Sequence, residues 1–128
     1  MDNKIKVLIL TDRLQDQAKA LIEFLKQSGF FEVVGFAENK QQVHSIAEDR
    51  NFDYLIIAGY LKNETNYHVI AELRNEFKRF HPVQWAMVDS LINIFCLRYQ
   101  IPLKFERTLP MDEFADFLRT HKNDPLIR

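Results

Sequence analysis

Several residue types are scarce in this 128-residue chain, and each shortage excludes a kind of protein. The only cysteine, Cys96, cannot form an internal disulfide, and its place in the apolar run 91–97 predicts a buried, inert thiol. With only three glycines, the sequence contains neither a GxGxxG nor a GxxxxGK[ST] motif. We therefore expect no nucleotide or flavin cofactor, and no other cofactor is indicated.

An excess of charge of either sign is also lacking. The chain has 17 basic and 18 acidic residues, for a formal net charge of −1, which argues against direct nucleic-acid binding. The basic cluster Arg74, Lys78, Arg79 and His81 suits the carboxyl end of a helix better than a nucleic-acid surface. The four histidines show no metal-ligand spacing, so we expect them on the surface and predict no metal site.

Long hydrophobic runs are missing as well. No segment approaches the ~20 apolar residues of a membrane span. The first ten residues, MDNKIKVLIL, have too short an apolar run for a signal peptide. We therefore expect a cytoplasmic protein without membrane contact.

Along the chain, apolar runs typical of strands alternate with stretches in which apolar residues recur at helical spacing. Apolar runs typical of buried strands lie at 5–10, 31–37, 54–58, 83–88 and 103–105. Between them, apolar residues recur at helical spacing over 13–28, from Asn39, over 69–80, over 91–100 and from Pro110. In the first and third of these stretches the apolar faces include Leu14 and Phe77.

Five strand–helix units predict an α/β fold of the flavodoxin-like, CheY-like (βα)5 kind. It is a three-layer sandwich whose parallel five-stranded sheet has the order 2-1-3-4-5. We expect one domain over 1–128, with a core of about 4–121 and a frayed polar tail at 122–128. Ligands of such folds lie at the carboxyl ends of the strands, which here are Thr11 and Asp12, Ala58 and Gly59, 87–90 and 106–110.

The segments that end or flank these strands resemble those of a known family. They are KVLILTD (6–12), EVVGFAENKQQ (32–42), FDYLIIAG (52–59), HPVQWAMV (81–88) and LPMDEFADFL (109–118). In order and spacing the chain is similar to a response-regulator receiver domain of the CheY kind over about 4–121. The resemblance implies a module of two-component signal transduction.

Two positions depart from the family pattern in a way that removes its chemistry. Ala58 stands where the resemblance implies the phospho-accepting aspartate, and alanine offers no nucleophile. Thr11-Asp12 stands where an acidic pair is implied, so one carboxylate remains. Mg²⁺ prefers one or two carboxylates together with phosphate oxygens, so a single carboxylate makes a poor metal site.

The remaining pocket positions also depart from the pattern. The Thr or Ser position falls on Met87 or Val88, and on Ser90 only if the strand is longer than usual. The lysine position falls on Leu109, with Arg107 the nearest cation and a possible substitute. The resemblance thus implies a degenerate pseudo-receiver whose vestigial pocket is formed by Thr11, Asp12, Ala58, Met87 and Leu109.

The segment LINIFCLRYQ (91–100) is apolar nearly all round, whereas a helix on a sheet needs an apolar stripe of only about 100°. The apolar residues beyond that stripe indicate either extra burial or a surface for a partner. The resemblance implies that the fourth helix, fifth strand and fifth helix form a face for a protein partner or a homodimer. The predicted interface residues are Ile92, Phe95, Tyr99 and Phe105.

Three functions remain open. The favoured one is a non-enzymatic receiver-like regulatory module that cannot be phosphorylated at the usual site and acts through protein–protein interaction or dimerisation. The second is a small α/β enzyme or ligand-binding domain that uses Asp12, Gly59 and Asp89. The third is the N-terminal part of a two-domain transcriptional regulator. Asp12 itself is either a relic ligand or the N-cap of the first helix, the latter being favoured.

Overall fold

Strands and helices alternate along the chain in the computed structural model, which describes residues 3–13, 15–76 and 78–126. The strands are β1 Ile5–Leu10, β2 Phe31–Ala37, β3 Tyr54–Ala58, β4 His81–Ala86 and β5 Leu103–Glu106. The helices are α1 Asp16–Gln27, α2 Lys40–Asp49, α3 Val69–Asn75, α4 Ser90–Arg98 and α5 Met111–His121, with a 3₁₀ helix at Glu64–His68 before α3. The five predicted strand–helix units are confirmed.

The five strands form one parallel sheet in the order β2-β1-β3-β4-β5, as predicted. Side chains of a strand alternate between the two faces of its sheet. Leu8 and Leu55 therefore pack in one core with α2, α3 and α4, while Val7 and Ile56 pack in a second core with α1 and α5. Covering both faces explains why β1 and β3 are apolar along nearly their whole length.

β4 begins two residues earlier than the predicted strand 83–88 and includes Pro82. The His81 N–H donates to Asp53 O at 2.8 Å, on the side of β3. Because successive residues of a strand direct their N–H groups to opposite sides, the Pro82 nitrogen is directed away from β3. On that side β5 begins only opposite Val83, so the proline removes no ladder hydrogen bond.

Two observed helices, α1 and α3, are shorter than the helical patterns that predicted them over 13–28 and 69–80. α3 ends at Asn75, and Phe80 is buried in the chain that follows the helix. Leu14 and Phe77, which the patterns assigned to helical faces, lie outside the described residues. The third pattern ran past the end of α3 because Phe80, which lies beyond the helix, packs in the same core.

The start of α1 corrects one prediction. Its N-cap is Gln15, without a side-chain cap bond, and Asp12 instead accepts a hydrogen bond from Lys62 N. Asn39 does cap α2, by accepting from Gln42 N at 2.9 Å. The prediction of Asp12 as a cap was wrong because the carboxylate has a partner that is distant in sequence.

The histidines do not all lie on the surface as predicted. His81 is buried in β4, and its Nε2 lies 3.2 Å from the carbonyl oxygen of Lys122. His44 on α2 is half-buried, with its two ring nitrogens 2.8 Å from Glu72 on α3 and 3.3 Å from Glu76, the C-cap of α3. The hydrogen bond from His44, followed by that from Lys40, lowers the pKa of Glu72.

The described residues contain neither a membrane-spanning helix nor a cluster of metal ligands. None of the helices there combines the length and the apolar character needed to cross a membrane. Over the same described ranges, His, Cys, Asp and Glu side chains do not gather in threes in a way that could hold a metal ion.

Candidate functional site

The ends of β1 and β3 meet at the carboxyl edge of the sheet, where Leu10 pairs with Ile57. Thr11 is buried there, and its hydroxyl donates to Arg13 O at 3.2 Å. Asp12 is half-buried and bound to Lys62 N, in the loop that follows β3. The one carboxylate of the predicted pocket is therefore already engaged with the backbone.

Ala58 is the last residue of β3, and it is buried beside Trp85 of β4, its partner in the sheet register. Both side chains belong to the α1–α5 core, where the Trp85 ring lies 6.2 Å from that of Phe114. Among residues 3–13, 15–76 and 78–126, no atom accepts a hydrogen bond from the buried Trp85 indole N–H. The end of β3 thus presents a methyl group in apolar surroundings, with neither a nucleophile nor a metal ligand.

A buried amide fixes the loop after β3. Gln84 of β4 is fully buried, and its Nε2 donates to Ile57 O at 3.1 Å and to Gly59 O at 2.6 Å. The Tyr67 hydroxyl lies 3.5 Å from Gln84 Oε1 and accepts from Leu61 N at 3.4 Å. Burial raises the pKa of Tyr67, so this hydroxyl keeps its proton. Together with the Asp12–Lys62 bond, the network binds the loop at three points.

One residue in the sequence indicated this network, although apolar periodicity did not reveal it. Gln84 interrupts the apolar run 82–86 of β4, a strand that has a neighbour on each side. Because a buried polar group is almost always hydrogen-bonded, a glutamine there predicts nearby backbone partners.

The loops after β4 and β5 are joined by a second carboxylate. Glu106 Oε1 accepts from Val88 N at 2.9 Å, and Oε2 accepts from the Thr108 N–H and hydroxyl at 3.3 and 3.1 Å. The hydrogen bond from the Val88 N–H, with those from Thr108, lowers the pKa of Glu106. The ionised side chain thereby fixes both loops at neutral pH.

A crevice of about 290 Å³ opens at this edge. Its lining is Gly59, Tyr60, Ala86, Met87, Asp89, Leu91, Ile92 and Arg107. Met87 and Leu109, the other two residues of the predicted pocket, are both exposed, and only Met87 belongs to the lining. Arg107 does belong to it, while its N–H donates to Ala86 O at 3.0 Å.

The crevice brings together only part of the alternative acid–base site. Gly59 and Asp89 line it, but Asp12 does not. Asp89 Oδ1 accepts from Ile92 N at 2.9 Å as the N-cap of α4, and Asp12 is bound to Lys62 N. Both carboxylates thus stabilise backbone, and only one of them lies in the crevice lining.

The structure corrects the predicted partner interface on α4. Ile92 and Phe95 are only 3% and 5% exposed, and both pack in the core shared with α2 and α3. Tyr99 is half-buried, with its ring 4.9 Å from that of Tyr67 and nearly parallel to it. Phe105 is half-buried against α5. Ile92 and Phe95 were wrong as contact residues because they form the stripe that α4 packs against the sheet.

The outward face of α4 is apolar as well. Leu91, Ile94 and Leu97 are 45%, 49% and 83% exposed. Tyr60 and Met87, also exposed, line the same crevice as Leu91. We call these five residues the α4 patch. They are five of the nine large hydrophobic side chains that are exposed among the described residues, a concentration typical of an interaction surface.

No family model matches the chain, and no curated protein matches it. Solved structures are similar in shape. The signal receiver domain of the response regulator NarL from Mycobacterium tuberculosis has a TM-score of 0.79 at 15% identity, covering 95% of this chain and 98% of that one. The REC domain of RcsB from Salmonella enterica serovar Typhimurium has a TM-score of 0.73 at 15% identity, covering 98% and 93%. The chain has the receiver-domain fold.

A further neighbour with this fold is the response regulator domain of Thermotoga maritima CheB, with a TM-score of 0.72 at 15% identity, covering 96% of this chain and all of that one. In the receiver fold of this chain, Thr11, Asp12 and Ala58 lie together at the ends of β1 and β3. Met87 and Leu109 lie on the loops after β4 and β5.

Proposed function

We propose that the chain is a receiver-like signalling or regulatory module that acts through protein–protein contact and is not switched by phosphorylation at the end of β3. The observation that carries the proposal is Ala58, a buried methyl group at the place where the resemblance implies the acceptor carboxylate. Thr11, Asp12, Ala58, Met87 and Leu109 are then a vestigial pocket. The module is taken to be one domain over 1–128 that works in the cytoplasm without enzymatic activity.

The surroundings of Ala58 support the loss of phosphoryl chemistry. An acyl phosphate needs a carboxylate nucleophile, and Mg²⁺ needs oxygen ligands in near-octahedral geometry. Asp12 supplies one carboxylate, which already accepts from Lys62 N. Arg107 lines the crevice and is the nearest candidate for the missing lysine, but the phospho-accepting position is occupied by Ala58.

The loops at this edge support a module with one fixed state. A switch requires an element with two arrangements that the signal biases. Gln84 binds the loop after β3 through Gly59 O, and Glu106 joins the loops after β4 and β5 through Val88 N and Thr108. These bonds stabilise a single arrangement without any phosphate.

The α4 patch supports contact with a protein. Its side chains are apolar, and the charged groups around it have both signs, as in the Arg98–Glu64 pair at 2.6 Å. Such a surface suits a protein partner better than the phosphate backbone of a nucleic acid, which selects clustered cations. The residues proposed to meet the partner are Leu91, Ile94 and Leu97 rather than the buried side chains of the same helix.

The phosphorylation half of the proposal is tested with acetyl phosphate and Mg²⁺, followed by intact-mass measurement. We expect no phosphoryl adduct on the wild-type chain. The matched variant is Ala58→Asp, which restores the carboxylate; we expect little adduct there too, since Asp12 and Leu109 do not supply the cation and lysine functions. A stable phosphoryl adduct on the wild-type chain would contradict the proposal.

The contact half is tested by affinity capture from the cells that express the protein. We expect Leu97→Glu to lose a bound protein that the wild type retains, with and without acetyl phosphate. Phe36→Glu is the control, because Phe36 is also exposed but lies on β2, at the opposite edge of the sheet. Two results would count against this surface. One is an equal loss of the bound protein in both variants, and the other is capture of that protein by the wild type only when acetyl phosphate is present.

A further inference from the structure

A second cavity lies at the amino edge of the sheet, at the opposite end of β3 from Ala58. It is formed where β1 begins and where α1 and α5 end, with Gly29 in the turn after α1 and Lys122 directly after α5. Its volume is about 380 Å³, within the range of about 300–1,000 Å³ that small-molecule sites occupy. The cavity is therefore separate from the crevice and from the vestigial pocket.

Every charged side chain in the lining of this cavity is basic. These side chains are Lys4, Arg119 and Lys122. Lys4 and Lys122 are half-buried, and within residues 3–13, 15–76 and 78–126 neither ammonium group forms an ion pair. A half-buried cation loses part of its hydration and here gains no carboxylate in return. The cavity therefore favours an anion from solution.

The carboxylates at the same edge of the sheet do not neutralise these cations. Asp53 accepts from a main-chain N–H of β1 at 2.8 Å, and Asp124 lies 2.6 Å from His121 Nδ1. Asp116 lies 3.7 Å from Arg119, but its side chain is 76% exposed, and an exposed pair of this kind is weak. None of the three carboxylates belongs to the lining.

Cations at the carboxyl end of a helix also stabilise the helix dipole, which is the simpler explanation for Arg119 and Lys122. The dipole does not explain Lys4, which precedes β1. The ends of α1 and α5 each carry about half a negative charge, so about two of the three positive charges in the lining remain unbalanced. A phosphate monoester carries about −1.5 to −2 at neutral pH and matches that remainder.

An exposed aromatic ring lies beside the cations. Phe30 is 53% exposed, and the Arg119 guanidinium carbon lies 4.2 Å from the centre of its ring. The carbonyl oxygen of Phe30 accepts from Ile5 N at 2.9 Å, and that of Lys122 lies 3.2 Å from His81 Nε2. These contacts fix the walls of the cavity, so the site is formed before any ligand binds.

We propose that this cavity binds a small organic phosphate monoester. Lys4, Arg119 and Lys122 hold the phosphate, and the organic group lies against the ring of Phe30. The inference goes beyond the proposed function and does not depend on it, because the site shares no residue with the vestigial pocket or with the α4 patch.

The first test titrates the isotope-labelled chain with phenyl phosphate, methyl phosphate and phenol and follows the backbone amides by NMR. We expect saturable shifts at Lys4, Phe30 and Lys122 with phenyl phosphate, and none at Gly59 and Asp89 in the crevice. Methyl phosphate should bind more weakly because it leaves the ring uncovered, and uncharged phenol should not bind. The absence of shifts with phenyl phosphate, or shifts only in the crevice, would overturn the proposal.

The second test compares the affinity of variants for phenyl phosphate. Lys4→Gln and Lys122→Gln each remove one charged donor, so we expect each dissociation constant to rise by about tenfold or more. Lys19→Gln is the matched control, since Lys19 is an exposed lysine near the other end of α1. Phe30→Leu should abolish the preference for phenyl phosphate over methyl phosphate. The NMR spectrum of each free variant shows whether it is folded.

Two results with folded variants would contradict the site. If Lys19→Gln weakens binding as much as Lys4→Gln, the attraction is a general effect of net charge. If Lys122→Gln lowers the thermal stability and leaves the affinity unchanged, that cation serves only the end of α5.

Discussion

A single buried amide, that of Gln84, fixes the loop after β3 at the carboxyl edge of the sheet. Gln84 is the one polar side chain of β4 whose two donors are both bound to main-chain oxygens, those of Ile57 and Gly59. Removing a donor from buried acceptors costs about 1–3 kcal/mol, because the acceptors cannot recover their water. The residue was visible in the sequence, but its partners depend on how β3 and β4 pair.

We expect the acid Gln84→Glu to make stability depend on pH in an unusual direction. The glutamic acid can donate to Gly59 O only when it is protonated, and burial disfavours its charged form, so its folded pKa lies above its unfolded one. The stabilisation is then complete below the unfolded pKa and is lost as pH rises through the folded pKa. In urea unfolding at several pH values, the midpoint urea concentration should fall as the pH is raised from about 4 to about 7.

Gln84→Leu provides the control for this variant, since it removes the donors without adding a titratable group. We expect it to be destabilised by about 1–3 kcal/mol at every pH. Parallel pH profiles for the two variants would show that protonation of residue 84 does not matter to the loop.

At the scale of the element, periodicity located the helices and strands better than it oriented them. β1, β2 and β3 have their predicted bounds, because a strand covered on both faces is apolar from end to end. α4 was placed within two residues, but its partner face was assigned to Ile92 and Phe95, which are buried. A helix that is apolar all round has no polar face to mark the solvent side. Which of its residues are buried is therefore determined only by how the helix packs against the sheet.

Two truncations test the orientation of α4. Ile92→Ala removes a side chain that is 3% exposed, and we expect a loss of about 2–5 kcal/mol from the buried methyl groups and the cavity left behind. Leu97→Ala removes a side chain that is 83% exposed, so we expect the stability of the monomer to change by no more than about 0.5 kcal/mol. Urea unfolding at low protein concentration measures both. Equal losses would mean that Leu97 packs inside the monomer.

For the whole molecule, the order of strands and helices could be predicted because it follows from general rules. Alternating strands and helices with right-handed crossovers leave few arrangements of a five-stranded parallel sheet. The candidate site was predictable only in part. The residues at the ends of β1 and β3 follow from those rules, whereas the Asp12–Lys62 bond and the crevice at Arg107 depend on loop conformations that no periodicity encodes.

The same architecture predicts that the two cores unfold together. β1, β2, β3 and β4 contribute side chains to both cores, so loss of one core exposes the strands on which the other is built. Trp85, the only tryptophan, is buried in the α1–α5 core, whereas Ile92 is buried in the opposite one. We expect Ile92→Ala to shift the urea midpoint of Trp85 fluorescence by the same amount as that of far-ultraviolet circular dichroism, as two-state unfolding requires. A shift in circular dichroism without a shift in fluorescence would show that the α1–α5 core persists alone.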